Sequence, residues 1–127
     1  MLDLALSLDT ELKEAVRIAD EAGVILRKAR EGGLQTERKA DNSIVTEADI
    51  ASDAFITSEL RKLFPADGIL SEESAYEAGD SGRTWVIDPL DGSSGYADGG
   101  DDYAIQIGLL VDGKPLLGVV AEPETRR

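Results

Sequence analysis

The 127-residue chain reads as an α+β domain in which two long helices pack on an antiparallel sheet. Three observations carry that expectation. Apolar residues recur at helical spacing in two stretches of the first half. Short alternating or β-rich runs occupy the second half, and Asp112-Gly113 joins the last two of them as a two-residue hairpin turn. Helices first and strands afterwards favour an antiparallel sheet over alternating βαβ units. The length suits a single domain, 1–127, and 42% hydrophobic residues suffice for a core despite a net charge of −13.

The first helix is expected over 10–30, capped by Asp9 or Thr10 and ended by Gly32-Gly33 after Arg27, Lys28 and Arg30. Leu12, Val16, Ala19 and Leu26 form one apolar stripe, and Ala15, Ile18, Ala22, Ile25 and Ala29 the next, giving a wide face for a sheet. The second helix is expected over 47–64. Thr46 and Asp49 fit the capping-box spacing, Pro65 stops the helix, and Ile50, Ala54, Phe55, Leu60 and Leu63 face the core. Strands follow at 68–71, at 84–87 (ended by Asp88-Pro89), at 103–111 and at 115–121.

Composition narrows the chemistry. The chain has no His and no Cys, which excludes a Ser-His-Asp triad, a thiolate nucleophile, a disulfide and an ordinary zinc site. The charge of −13 repels phosphate backbones, so a nucleic acid polymer is not an expected partner. Neither a signal peptide nor an apolar run of about 20 residues is present, so the expectation is a soluble cytoplasmic protein without a membrane partner. What remains is an oxygen-ligand vocabulary suited to hard cations.

The acidity is concentrated. Between Asp67 and Asp102 there are 10 acids and one base, Arg83. Like charges gathered in a compact fold are costly unless a cation neutralises them. Asp49 lies in the first turn of the second helix, Glu72-Glu73 follow one strand, and Asp88 and Asp91 follow another, so these carboxylates can converge. In Asp88-Pro89-Leu90-Asp91-Gly92-Ser93-Ser94, Pro89 stiffens the turn and Gly92 permits close backbone approach. Backbone N–H groups after Gly92, with the Ser93 and Ser94 hydroxyls, form either an anion-binding nest or a short helix start. Taken singly, each feature has a plainer reading. Asp49 serves a helix dipole, Glu72-Glu73 are solvated surface, and Asp-Pro-x-Asp-Gly is an ordinary turn. An EF-hand loop from Asp88 fails because Leu90 and Gly92 occupy ligand positions, and no P-loop is present. Asp98, Asp101 and Asp102 read as a solvated loop.

In order along the chain, several segments resemble the lithium-sensitive, magnesium-dependent phosphatases of the inositol monophosphatase superfamily. They are Lys39-Ala40-Asp41-Asn42-Ser43-Ile44-Val45-Thr46-Glu47-Ala48-Asp49, Gly68-Ile69-Leu70-Ser71-Glu72-Glu73-Ser74, Trp85-Val86-Ile87-Asp88-Pro89-Leu90-Asp91-Gly92-Ser93-Ser94, and the stretch from Gly108 to Pro123. The resemblance implies the N-terminal half of that family's layered α/β sandwich, without its C-terminal domain. It implies that Glu72, Asp88 and the Leu90 carbonyl bind one Mg²⁺, and that Asp88 and Asp91 share a second. Asp49 and Ser93 are then catalytic, orienting and activating the attacking water, while Gly92, Ser93 and Ser94 hold phosphate. The implied substrate is a small phosphorylated metabolite. A 3'(2'),5'-bisphosphate nucleotide ranks first, on the Lys39–Ser43 and Leu70–Glu73 segments, ahead of inositol 1-phosphate and histidinol phosphate. Ser replaces the family's usual Thr at Ser93, which loosens the hydroxyl and predicts a slower enzyme. The family's Trp-Asp motif, whose Asp completes the metal site, has no match in these residues, so a truncated, catalytically incomplete metal-binding domain is the alternative. An uncovered sheet face or edge favours a homo-oligomer.

Overall fold

In a computed structural model, residues 4–32, 36–38 and 44–124 are described. The elements run α1 (Leu4–Glu31), β1 (Thr36–Arg38), β2 (Ile44–Thr46), α2 (Glu47–Leu63), β3 (Gly68–Ser71), β4 (Arg83–Asp91), α3 (Ser93–Ala97), β5 (Ala104–Val111) and β6 (Lys114–Ala121). The α+β expectation holds: α1 packs over β5 and β6, α2 packs over β4, and the two helices touch each other. The segment 39–43 lies outside the described residues. Among the described residues no helix is long and apolar enough to cross a membrane.

The helix boundaries depart from expectation at one end. α1 begins at Leu4, so Asp9 and Thr10 lie inside it and cap nothing; Leu4-Ala5-Leu6 are good helix formers that extend it backwards. The Gly32 N–H still bonds the Lys28 carbonyl at 3.2 Å, closing the last turn. α2 starts at Glu47 as expected, and the Phe64 N–H donates to Leu60 at 2.8 Å just before Pro65. A short pair, β1 with β2, was not expected, because three-residue strands carry no readable periodicity.

The four-stranded sheet has the order β3-β4-β5-β6. Two pairings are antiparallel, as expected, but β3 and β4 run parallel, with Ser71 beside Ile87. The sheet is therefore mixed. A parallel pair needs a crossover, usually helical. Here an irregular loop suffices: Glu77 exchanges hydrogen bonds with Ile69 at 2.9 Å along the free edge of β3, and the Asp80 and Ser81 N–H groups then bond the Ala66 carbonyl at 3.0 and 3.2 Å. The chain thus returns to the start of β3 before entering β4. The β5–β6 hairpin turns on Asp112 (φ 50°) and Gly113 (φ 80°), a type I′ pair.

Ile69, Trp85, Ile87, Ile105, Ile107 and Leu109 on the helix side of the sheet meet Ala15, Ile18, Ala19, Ala22 and Leu26 of α1, and Ala48, Ile56 and Leu60 of α2. Several helix assignments need correction. Leu12 and Val16 of α1, and Ile50, Ala54 and Leu63 of α2, are exposed. On α2 the buried face instead includes Asp49, Ser52, Asp53 and Thr57. Arg83, the sole base of the acidic stretch, pairs with Glu11 and Asp67 at 2.8 Å each, and Trp85 Nε1 donates to Asp67 at 2.9 Å. Its charge is committed at the entry to β4.

Candidate functional site

Strand direction builds the site. Because β3 and β4 are parallel, their C-terminal ends lie together, and Glu72 leaves β3 alongside Asp88. Antiparallel pairing would have sent these two carboxylates to opposite ends of the sheet. The crevice beyond the carboxyl ends of parallel strands is a recurrent position for ligand chemistry.

Asp88 and Asp91 are three residues apart, so in a regular strand they would point to opposite faces. β4 does not end at Asp88-Pro89 as expected but continues through a bulge. Asp88 pairs with Gln106 and Asp91 with Ala104, so β4 spends one more residue than β5. The extra residue buries both Pro89 and Leu90 and returns Asp91 to the side of Asp88. Pro89 has no N–H to lose from the ladder, which suits it to a bulge. Asp91 accepts from Gln106 Nε2 at 3.1 Å.

The Asp88 carboxyl is pushed up to about 6, first by burial and then by the neighbouring charges of Glu72, Asp91 and Glu73; the Leu90 N–H, 3.2 Å from Oδ1, opposes the shift. The donor set is all oxygen and its excess negative charge fits a hard divalent cation. Among the described residues no three carboxylates close around a common point. They crowd one another electrostatically without forming a closed cage.

A second group lies across Leu90. Asp49 is only 2% exposed, and the Ser93 hydroxyl donates to its Oδ2 at 2.7 Å. The Leu90 carbonyl is 3.2 Å from the same hydroxyl, but the shorter, charge-assisted bond takes the proton. Gly92 sits at φ 89°, and a Cβ there would lie 2.8 Å from the Asp102 carbonyl oxygen, so only glycine fits this turn. After it the chain enters α3, the Tyr96 N–H bonding the Gly92 carbonyl at 2.9 Å. Of the two sequence readings, the short helix start is realised. Ser94 lies in its first turn. Asp98, Asp101 and Asp102 are exposed, as expected of a solvated loop.

Two supporting residues of α2, Ser52 and Asp53, escaped the sequence reading. Ser52 Oγ donates to the Pro89 carbonyl at 2.8 Å, holding the bulge. Asp53, 6% exposed, accepts a hydrogen bond from Ser71 Oγ and one from Ser74 Oγ at 3.4 Å. The available signal was a helix whose Asp49, Ser52 and Asp53 share one face at i, i+3 and i+4. A cavity of about 590 Å³ on the opposite face of the sheet has Glu72 and Asp88 at one end, but Leu70, Val86 and Val120 along its walls. Asp49 and Ser93 do not line it, so the polar chemistry is at its edge.

Fold and side chains together define an α+β domain that gathers carboxylates and carboxylate-bound hydroxyls at the ends of two parallel strands. The chain belongs to the inositol monophosphatase family, whose model matches residues 7–127. It is 40% identical over 115 residues to the Nus factor SuhB of Pasteurella multocida, covering 88% of this chain and 43% of that protein. To the 3'(2'),5'-bisphosphate nucleotidase CysQ of Salmonella typhimurium it is 38% identical over 117 residues, 88% of this chain and 48% of that one. The crystal structure of the extragenic suppressor protein SuhB from Bartonella henselae matches with a TM-score of 0.88 at 33% identity, over 93% of this chain and 47% of that chain. The chain therefore spans somewhat under half the length of these relatives.

Proposed function

We propose that the chain carries the metal and water side of a Mg²⁺-dependent phosphomonoesterase site, with a 3'(2'),5'-bisphosphate nucleotide as first substrate and inositol 1-phosphate as second. The single observation that carries this reading is that the Ser93 hydroxyl, two residues along the chain from the end of the strand that carries the crowded Asp88 carboxylate, donates to buried Asp49. Glu72, Asp88, Asp91 and the Leu90 carbonyl would hold Mg²⁺. When bound, Mg²⁺ supplies positive charge for the developing phosphoryl charge and lowers the pKa of water. Ser93 Oγ keeps lone pairs to accept from the attacking water. Its own proton passes to Asp49 as it takes one from that water, so no histidine is needed. The Gly92 and Ser93 N–H groups would orient the phosphate at the start of α3, and a part for the Ser94 hydroxyl rests on the family resemblance alone.

A catalytically incomplete metal-binding domain is the second reading, supported by the span of under half the relatives' length. Phosphate release from adenosine 3',5'-bisphosphate, inositol 1-phosphate and histidinol phosphate separates the two. The proposal expects release at millimolar Mg²⁺, with the bisphosphate turned over fastest, and loss on Asp88→Asn. Magnesium binding without release from any of the three leaves only the incomplete domain.

A further inference from the structure

We propose that Asp53 is a positioning residue that fixes the turn carrying Glu72, and through it the affinity of the site for a divalent cation. This rests on the metal-site reading above. Asp53 lies one turn beyond Asp49 on the buried face of α2. Its Oδ1 receives the Ser71 and Ser74 hydroxyls, which bracket Glu72 and Glu73 on both sides. Ser71 Oγ in turn accepts the Glu73 N–H at 3.3 Å. One carboxylate on α2 thus closes both ends of the turn that carries Glu72. Glu72 is itself exposed, so burial does not set its direction and the turn beneath it does. Asp49, Ser52 and Asp53 then act as one ruler: three successive polar positions of α2 register Ser93, the Pro89 bulge and the Glu72 turn against one another. An oxygen-ligand cation site needs that relative placement, because supporting hydrogen bonds typically change metal affinity about 10- to 100-fold.

The test is made on the intact chain with Mg²⁺ as the probe, by calorimetric titration and by amide hydrogen exchange in the metal-free protein. Asp53→Asn is expected to speed Glu73 amide exchange about tenfold, as loss of one hydrogen-bonded closure implies, and to weaken Mg²⁺ binding about tenfold. Ser74 is exposed, so Ser74→Ala cannot unfold the core; it should weaken binding by a smaller factor, and Ser74→Thr should restore it. Unchanged exchange at Glu73 in Asp53→Asn overturns the inference. So does unchanged Mg²⁺ affinity in both Asp53→Asn and Ser74→Ala when the parent chain binds. A parent chain that binds no Mg²⁺ overturns the metal-site reading and, with it, the affinity claim, whatever the exchange at Glu73.

Discussion

α1 and α2 cover the same sheet with different kinds of face, the first mostly apolar and the second mixed. α1 buries Ala15, Ile18, Ala19, Ala22 and Leu26 against β5 and β6, with one buried carboxylate, Glu11, near its start and paired with Arg83. α2 buries Ala48, Ile56 and Leu60, but between them Asp49, Ser52, Asp53 and Thr57, while Ile50 points outward at 57% exposure. Burying a carboxylate is costly unless its oxygens are hydrogen-bonded. Asp49 and Asp53 are satisfied by hydroxyls from the strand ends, and that requirement ties the N-terminal half of α2 to the site. One helix serves mainly the core, and the other divides its buried face between the core and the site.

The contrast breaks most sharply with one variant in each helix. Leu26→Ala should cost about 2–5 kcal/mol of stability and leave phosphate release per folded molecule unchanged. Asp49→Asn should lower phosphate release about 10²–10⁴-fold with a much smaller shift in melting temperature. Urea denaturation beside the release assay reads both; equal stability losses would erase the distinction. Ser52→Ala comes next. It strands the Pro89 carbonyl and should cost about 1–3 kcal/mol, with a fall in Mg²⁺ affinity that Leu26→Ala does not share.

A pH dependence sharpens the same point. Asp88 binds its proton more tightly folded, at about 6, than at its ordinary 3.8. The metal-free chain therefore keeps that contribution to stability below about pH 4 and loses it as pH rises through 6. Denaturation midpoints in chelator between pH 4 and 7 should fall over that window, and Asp88→Asn should flatten the fall. Smallest of all is Val16→Ala, at 43% exposure on α1, which should stay within about 0.5 kcal/mol of the parent in the same denaturation series.

Much of this was legible beforehand. Helical spacing located α1 and α2 because their burial is local to each helix, and Asp112-Gly113 announced the hairpin because turn chemistry is local too. On α2 apolar spacing identifies Leu60 and Phe55 correctly but not Ile50, Ala54 and Leu63, because apolar character alone does not reveal which polar residues have partners inside. Ile50 and Ala54 turn outward where Asp49, Ser52 and Asp53 beside them have partners inside; Leu63 is exposed in the last turn. The acid-rich stretch also pointed to Glu72, Asp88 and Asp91 before any geometry was known, as spacing and composition are properties of the chain itself.

By itself, then, the sequence determined the two helices, the hairpin and an oxygen-only vocabulary, and it nominated the candidate carboxylates. Tertiary structure alone decided that β3 runs parallel to β4 and that a bulge returns Asp91 to the side of Asp88. The reason is physical. Strand direction and register are set by which backbone hydrogen bonds close between distant segments, here through the Glu77 bridge and the Ala66 carbonyl, and nothing local to Gly68-Ile69-Leu70-Ser71 encodes them.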